Sequence, residues 1–160
     1  MYIAVPKELD KLEPRVAVTP NSVKDIIKSG LEVYIESGAG LKSFISDNDY
    51  QNAGANIVDN PNQILSNADI TLKVLSPSPE EIAILKQKST VISLCQTTRE
   101  LEIVKLLSNG SITAFSMHLI PRTTLAQKMD ALSSQANIAG YKAVLIAASR
   151  LGVYMPLLMT

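Results

Sequence analysis

The sequence is poor in the residue types on which several classes of protein depend. Its 160 residues include one cysteine, one histidine and no tryptophan, and aromatic residues make up 4% of the chain. The single cysteine, Cys95, excludes an intrachain disulfide and favours a reducing, cytoplasmic setting. The single histidine, His118, argues against a histidine-based metal cluster and against a serine–histidine–aspartate triad. We therefore expect neither a resident metal nor a catalytic triad.

An excess of one charge and long apolar runs are also missing. Fifteen lysines and arginines balance fifteen aspartates and glutamates. The surface therefore lacks the basic stripe and the stacking aromatic rings that bind nucleic acid. The chain does not open with the cationic segment and apolar stretch of a signal peptide. No apolar run reaches the roughly 20 residues of a membrane span. The sequence predicts a cytoplasmic globular chain without a nucleic-acid partner.

What the sequence does contain is a regular alternation of short apolar runs and helical patterns. The runs that predict strands lie at residues 2–5, 31–35, 56–58, 69–74, 90–94 and 111–115. The patterns that predict helices lie at residues 22–28, 47–53, 61–66, 79–86 and 98–107, followed by a long helix from about Thr124. This alternation indicates an α/β fold with a doubly wound, mainly parallel sheet of about five strands, Rossmann-like or flavodoxin-like. The expected parts are an α/β domain at residues 1–125 and a long helix with a linker at residues 126–160.

Ligands of such sheets bind at the carboxyl ends of the strands, so polar residues that follow strands are candidates. Arg15 follows the first strand and Lys73 ends the fourth. Together they could bind a carboxylate or phosphate, since the guanidinium fork gives an anion two parallel hydrogen bonds. Alternatively, Arg15 pairs with a surface glutamate and Lys73 is solvated. The SGAG stretch at residues 37–40 resembles the start of a phosphate loop, but without a third glycine a tight turn is the simpler interpretation. Cys95 ends a buried strand and is interpreted as a core residue rather than a nucleophile.

The polar segment that precedes the long apolar helix allows two interpretations. If the helix begins near Thr124, Gln127, Asp130 and Ser134 share one face with Ser133 near its edge, and that face needs water or a ligand. If residues 123–128 form a loop instead, the helix begins at Asp130 as its N-cap and the polar residues are caps. Further along the helix the residues on one face are small, which allows close packing. They are Ala136, Ala139, Gly140, Ala143 and Ala147.

Several segments together resemble one known family. They are KELDKLEPRVAVTP, GLEVYIESGAG, YQNAGANIV, ADITLKV and IPRTTLAQKMDALSSQANIAGYKAVLIAA. Over essentially its whole length the chain resembles the N-terminal domain shared by alanine dehydrogenase and the alpha subunit of proton-translocating NAD(P) transhydrogenase. The last segment favours the transhydrogenase branch. So does Cys95, which stands with Gln96 where alanine dehydrogenases carry a catalytic histidine.

The resemblance implies hydride transfer between NAD(H) and NADP(H), with NADP(H) bound on a partner subunit and no residue acting as acid or base. It implies that Arg122 and Gln127 hold the carboxamide and neighbouring groups of NAD(H), and that Asp130 and Ser133 fix the nicotinamide ring. Arg15 and Lys73 match the substrate-carboxylate pocket of the dehydrogenase branch and are expected to be a remnant of it. The implied partners are a second copy in a homodimer and the membrane and NADP-binding subunits, which would hold the chain at the inner membrane.

The family's second, NAD-binding domain is not recognisable in the sequence, which has no G-x-G-x-x-G after a strand. Residues 126–160 are therefore expected to lead toward that missing domain, and the chain alone is expected to be inactive. The apolar residues 157–159 are expected to be exposed and to favour association. Two other functions stay open. One is a non-catalytic scaffold or dimerisation module built on the helix at residues 129–155, and the other is an alanine-dehydrogenase-like binder of 2-oxo acids.

Overall fold

The structure, a computed structural model, describes residues 1–153. The chain forms two units, the first from Met1 to Leu119 and the second beginning at Ile120. The expectation for residues 157–159 lies outside the described residues. Among the described residues, no helix is long and apolar enough to cross a membrane.

The first unit is built on one sheet of six parallel strands. They are β1 (Tyr2–Val5), β2 (Glu32–Glu36), β3 (Asn56–Val58), β4 (Ile70–Leu72), β5 (Thr90–Ser93) and β6 (Thr113–Ser116). Their order across the sheet is β3-β2-β1-β4-β5-β6, and every neighbouring pair is parallel. The predicted doubly wound α/β fold is confirmed, with six strands instead of about five. The order reverses between β1 and β4, so the carboxyl ends of these two strands mark the switch point at which such sheets bind ligands.

Five helices connect the strands of the first unit. They are α1 (Pro20–Lys28), α2 (Asp47–Asn52), α3 (Pro61–Asn67), α4 (Pro79–Ile84) and α5 (Leu101–Asn109). Capping residues set the start of the first four, because the side chains of Thr19, Ser46, Asn60 and Ser78 each accept a hydrogen bond from a backbone N–H of the first turn. The fifth begins three residues later than predicted. Its N-cap, Glu100, turns its carboxylate back to the N–H of Gln96, which closes a turn before the helix.

Side chains on the two faces of the sheet enter two separate cores. Ala4 and Val91 point to the face that carries Leu107 of α5. Val5 points to the opposite face, which carries Val23 of α1 and Tyr50 of α2. This alternation follows from the period of two along a strand, and it fixes which strand residues lie beneath each helix.

The second unit contains one long helix, α6 (Ala131–Arg150), with Asp130 as its N-cap. Of the two starts that the sequence allows, the later one at Asp130 is observed and the one near Thr124 is wrong. The Asp130 side chain accepts a hydrogen bond from the backbone N–H of Ser133, which satisfies a donor that the first helical turn leaves open. The preceding residues form turns instead, including a single 3₁₀ turn at Gln127–Met129.

Candidate functional site

Lys73 lies at the switch point and is held by two carboxylates. Its Nζ is 2.7 Å from Oε1 of Glu81 and 3.7 Å from Oε2 of Glu8, and its side chain is 1% exposed. Glu81 comes from the first turn of α4, and Glu8 comes from the loop after β1. A buried ammonium requires such partners, because leaving it unpaired costs several kcal/mol. The alternative in which Lys73 is solvated is therefore wrong.

Glu8 also ties the ends of β1 and β4 together through the backbone. Its Oε1 accepts the N–H of Val74 at 2.6 Å, and its Oε2 accepts the N–H of Leu75 at 3.3 Å. Burial raises the pKa of Glu8, while Lys73 and the two backbone N–H groups oppose that rise. The carboxylate is thus a structural acceptor at the point where a ligand of this fold would enter.

Arg15 pairs with a different carboxylate. Its Nε is 2.7 Å from Oε1 of Glu13, and its Nη2 is 2.7 Å from Oε2 of the same group. The hydrogen bonds from Arg15 lower the pKa of Glu13, and the same bonds raise the pKa of Arg15. The interpretation in which Arg15 pairs with a glutamate is confirmed, although Glu13 is buried and does not lie on the surface.

Arg15 borders a small cleft at this edge of the sheet, together with Glu8, Glu13 and Lys42. The volume of the cleft is about 50 Å³, which is room for a few water molecules. Lys42 donates from its Nζ to the backbone oxygens of Asp10, Lys11 and Glu13, at 3.1, 3.2 and 3.4 Å, and so holds the loop that carries Arg15. A carboxylate or phosphate would have to displace glutamates that already neutralise the two predicted cations.

The SGAG stretch forms a tight turn, as predicted. The N–H of Gly38 and the hydroxyl of Ser37 donate to the carboxylate of Asp47 at 2.7 and 2.8 Å. Gly38 has a φ of 75°, a left-handed conformation that suits glycine. An internal carboxylate therefore occupies the donors that a phosphate loop would offer to its ligand.

The four residues proposed for the nicotinamide lie on one short segment of the second unit. Arg122, Gln127 and Ser133 are exposed, and Asp130 is partly exposed. The backbone N–H and the hydroxyl of Ser133 donate to Oδ1 and Oδ2 of Asp130 at 2.9 and 2.5 Å. These bonds, with a smaller contribution from the positive charge of Arg122, lower the pKa of Asp130. The segment thus presents an ionised carboxylate, an amide, a hydroxyl and a guanidinium.

Cys95 is a core residue, as predicted, and is 3% exposed. Burial raises the pKa of its thiol, which disfavours the thiolate that a nucleophile requires. Among the described residues, no group of three or more histidine, cysteine, aspartate or glutamate side chains is placed to bind a metal ion.

Comparison with known proteins assigns this arrangement to a family. The model for the alanine dehydrogenase/PNT N-terminal domain matches residues 4–139. The chain belongs to this family. It is 39% identical to a protein of Rhodospirillum rubrum that forms a portion of NAD(P) transhydrogenase subunit alpha, and the match covers the whole chain and 43% of that protein. It is 32% identical to the alanine dehydrogenase of Bacillus subtilis, over 92% of the chain and 38% of that protein.

A solved transhydrogenase structure from Sinorhizobium meliloti has the same fold in this region. It superposes with a TM-score of 0.92 at 39% identity, over the whole chain and 48% of that structure. The chain therefore spans about half or less of the alanine dehydrogenase/PNT relatives to which it is compared. The resemblance inferred from the sequence segments is confirmed.

Sequence reasoning missed the acidic partners Glu8, Glu13, Glu81 and Asp47 in this family member. A signal for one of them was available, because Ser78 and Glu81 have the spacing of a capping box that opens α4. A second signal was the position of Lys73 at the end of a strand in a parallel sheet, because a lysine that is buried there needs a counter-charge. Glu13 stands two residues from Arg15, close enough for the pair to have been considered.

Proposed function

We propose that this chain supplies the nicotinamide-facing segment of an NAD(P) transhydrogenase, which transfers hydride between NAD(H) and NADP(H). The observation that supports it most is the exposed polar segment with Arg122, Gln127, Asp130 and Ser133 in a chain similar to transhydrogenase alpha subunits. NAD(H) would be held in part by this segment and NADP(H) by a partner subunit. The larger share of NAD(H) binding would belong to a second domain toward which residues 126–160 lead.

The side chains of the segment fit the carboxamide of a nicotinamide ring. A carboxamide offers one acceptor oxygen and one NH₂ donor, and guanidinium, amide, hydroxyl and carboxylate groups can satisfy both. Each oxygen of Asp130 accepts one bond from Ser133 and keeps capacity for another. When bound, NAD(H) supplies the hydride chemistry. The task of Arg122, Gln127, Asp130 and Ser133 is to orient the ring and to limit water around it, without proton transfer.

The proposed setting is a homodimer that meets membrane and NADP-binding subunits at the inner membrane. The names of the relatives, which are subunits and portions of subunits, support partner subunits. The exposed apolar side chains of α6 support association with a further chain. The chain alone is proposed to be inactive, because it spans less than half of the Rhodospirillum rubrum relative.

A non-catalytic scaffold is the second candidate, and a specific observation favours it. Asp130 and Ser133 bond to each other and cap α6, which gives them a structural task that needs no cofactor. Binding of a 2-oxo acid at Arg15 and Lys73 has less support. Both cations already pair with buried glutamates, and the adjacent cleft has a volume of only about 50 Å³.

Titration of the chain with NADH, followed by nicotinamide fluorescence, separates the first two candidates. We expect saturable binding that weakens at least about tenfold in Arg122→Ala, since a hydrogen bond to a charged group is lost. Lys128→Ala, which removes an exposed cation on the same segment, is the matched control and should bind like the wild type.

Asp130→Asn keeps a good N-cap and Asp130→Ala does not, so circular dichroism of the two variants measures the contribution of Asp130 to capping α6. Absent binding up to millimolar NADH, or equal binding by Arg122→Ala and Lys128→Ala, would favour the scaffold.

A further inference from the structure

A slot lies in the first unit between α5 and the strands β5 and β6, and we name it the α5 slot. Its volume is about 280 Å³. Val104 and Leu107 of α5 line one side, and Ser93, Ala114 and Ser116 of the strands line the other. These residues belong to the first unit and the polar segment at residues 122–133 to the second, so the slot and the site proposed above share no residue.

Small strand residues create this space. Ala114 pairs in register with Val91, and Ser116 pairs with Ser93, so these four positions face α5 side by side. Three of the four side chains have one or two heavy atoms, and Ala114 on the edge strand β6 is exposed, so the space beside α5 is not filled. The slot is therefore a consequence of the sequence of β5 and β6.

Ser93 adds a hydroxyl group to the lining of the slot. The residue is 2% exposed and lines the slot. Among residues 1–153 no hydrogen bond to its hydroxyl is found, whereas the hydroxyl of Ser116 donates to the backbone oxygen of Cys95 at 2.5 Å. Among the described residues the fully buried hydroxyls without a partner are those of Thr71 and Ser89, so the hydroxyl of Ser93 reaches the open space of the slot. A ligand group that bonds to it there would gain about the affinity of one hydrogen bond.

The lining also restricts the charge of the ligand. None of the described residues that line the slot is charged, and most of their side chains are apolar. A carboxylate or ammonium would lose its hydration there without a counter-ion, which is strongly unfavourable. The volume of the slot also limits the size of the ligand. An engineered apolar cavity of about 150 Å³ in another protein binds benzene, so a slot of about 280 Å³ has room for a molecule built on one ring.

We propose that the α5 slot binds a small neutral molecule with an apolar ring and one hydrogen-bonding group, which Ser93 recognises. Phenol represents this class, toluene has a ring of similar size without the hydroxyl, and benzoate adds a charge. Because the proposal rests on residues 91–116, it stands or falls independently of NADH binding at the polar segment.

The chain's single cysteine gives a direct readout, because Cys95 lines the slot. We expect phenol to slow the reaction of Cys95 with a thiol reagent in a saturable way, toluene to do so at higher concentration, and benzoate to have no effect. Amide chemical shifts of residues 91–116, measured by NMR in the same titration, locate the binding independently of the thiol.

Two variants test the role of the hydroxyl. Ser93→Ala should weaken phenol binding about five- to tenfold, the effect of one hydrogen bond, and should leave toluene binding unchanged. Ser89→Ala is the matched control, because Ser89 is a buried serine like Ser93 but does not line the slot. Ala114→Leu fills the slot and should abolish protection of Cys95, while circular dichroism checks that the variant folds. The proposal is overturned if phenol fails to bind the wild type, or if Ser93→Ala and Ser89→Ala bind phenol equally.

Discussion

At the scale of single residues, the buried ion cluster of Lys73, Glu8 and Glu81 is the feature with the largest expected effect on stability. Lys73→Met removes the cation and leaves two carboxylates facing each other. Losing one partner of a buried ion pair costs about 3–5 kcal/mol, so we expect a loss of that order in the free energy of unfolding by urea. Lys28→Met is the control, since Lys28 and its partner Asp25 are 77% and 76% exposed. That change should cost less than about 1 kcal/mol. Equal losses in the two variants would show that the buried cluster contributes little.

Glu8 and Glu13 are expected to give opposite dependences of stability on pH. The folded state lowers the pKa of Glu13 below its ordinary value of 4.5, so its contribution is present above that value and is lost as the pH falls through the folded pKa. The folded state raises the pKa of Glu8 above 4.5, so stability falls as the pH rises from 4.5 through the raised value.

Urea unfolding of the wild type, Glu8→Gln and Glu13→Gln between about pH 3 and pH 7 measures both slopes. We expect Glu13→Gln to lose stability relative to the wild type at neutral pH and to approach it in acid. We expect Glu8→Gln to gain stability relative to the wild type as the pH rises. Variants that deviate from the wild type in the same direction would contradict the assigned shifts.

Sequence reasoning identified the cations Arg15 and Lys73 but not how they are paired. Glu8 meets Lys73 only because β1 and β4 are neighbours in the sheet, although two strands separate them in the chain. The alternation of strands and helices predicts that a parallel sheet forms, but not its strand order. Long-range partners of this kind depend on that order, whereas the local pair Glu13 and Arg15 does not.

At the scale of elements, the turn after β2 needs both of its glycines, each for a different reason. Gly38 has a left-handed φ, whereas Gly40 is needed for space. A Cβ on Gly40 would lie 2.8 Å from the backbone oxygen of Ile45 and 2.8 Å from the ring of Tyr50. Gly40→Ala should therefore lower the free energy of unfolding by about 1–3 kcal/mol, as overpacking does.

Gly140→Ala is the control for Gly40→Ala. Gly140 lies within α6, and a Cβ there would meet no atom within 4 Å. Gly140→Ala should raise the helicity of α6 at low protein concentration, because alanine is favoured over glycine in a helix by about 1 kcal/mol. Thermal unfolding monitored by circular dichroism compares the two variants. A Gly40→Ala protein as stable as the wild type would show that the turn relaxes to accept the extra carbon.

Elements are predicted correctly where one local signal is strong, and their boundaries are missed where several polar residues can each begin the helix. The strand at residues 2–5 was predicted at its observed bounds, because Pro6 follows a short apolar run directly. The start of α5 was missed, because the turn before it depends on the carboxylate of Glu100, which also accepts from the hydroxyl of Ser76 after β4. The start of α6 was undecided from sequence, because either Thr124 or Asp130 can begin a helix.

At the scale of the whole molecule, α6 is the element least explained by the described contacts. Large apolar side chains, including Ile138, Tyr141 and Leu145, recur on one side of the helix at helical spacing and are 61%, 68% and 46% exposed. The small residues from Ala136 to Ala147 occupy much of the opposite side. A helix that is apolar on all sides is normally buried, so a further chain or segment is expected to cover this one.

Self-association of the chain is the expected consequence. We predict that sedimentation velocity shows a species heavier than the monomer whose share grows with protein concentration. The double substitution Ile138→Glu and Leu145→Glu should shift the equilibrium to monomer, because charges on the large apolar side cannot be buried without partners. Glutamate is a good helix former, so circular dichroism should show α6 intact in this variant. Leu12→Glu, which changes another exposed leucine in the first unit, is the control and should leave association unchanged. If the wild type stays monomeric at every concentration, or if Leu12→Glu dissociates it equally, α6 is not the associating surface and its cover must come from a different protein segment.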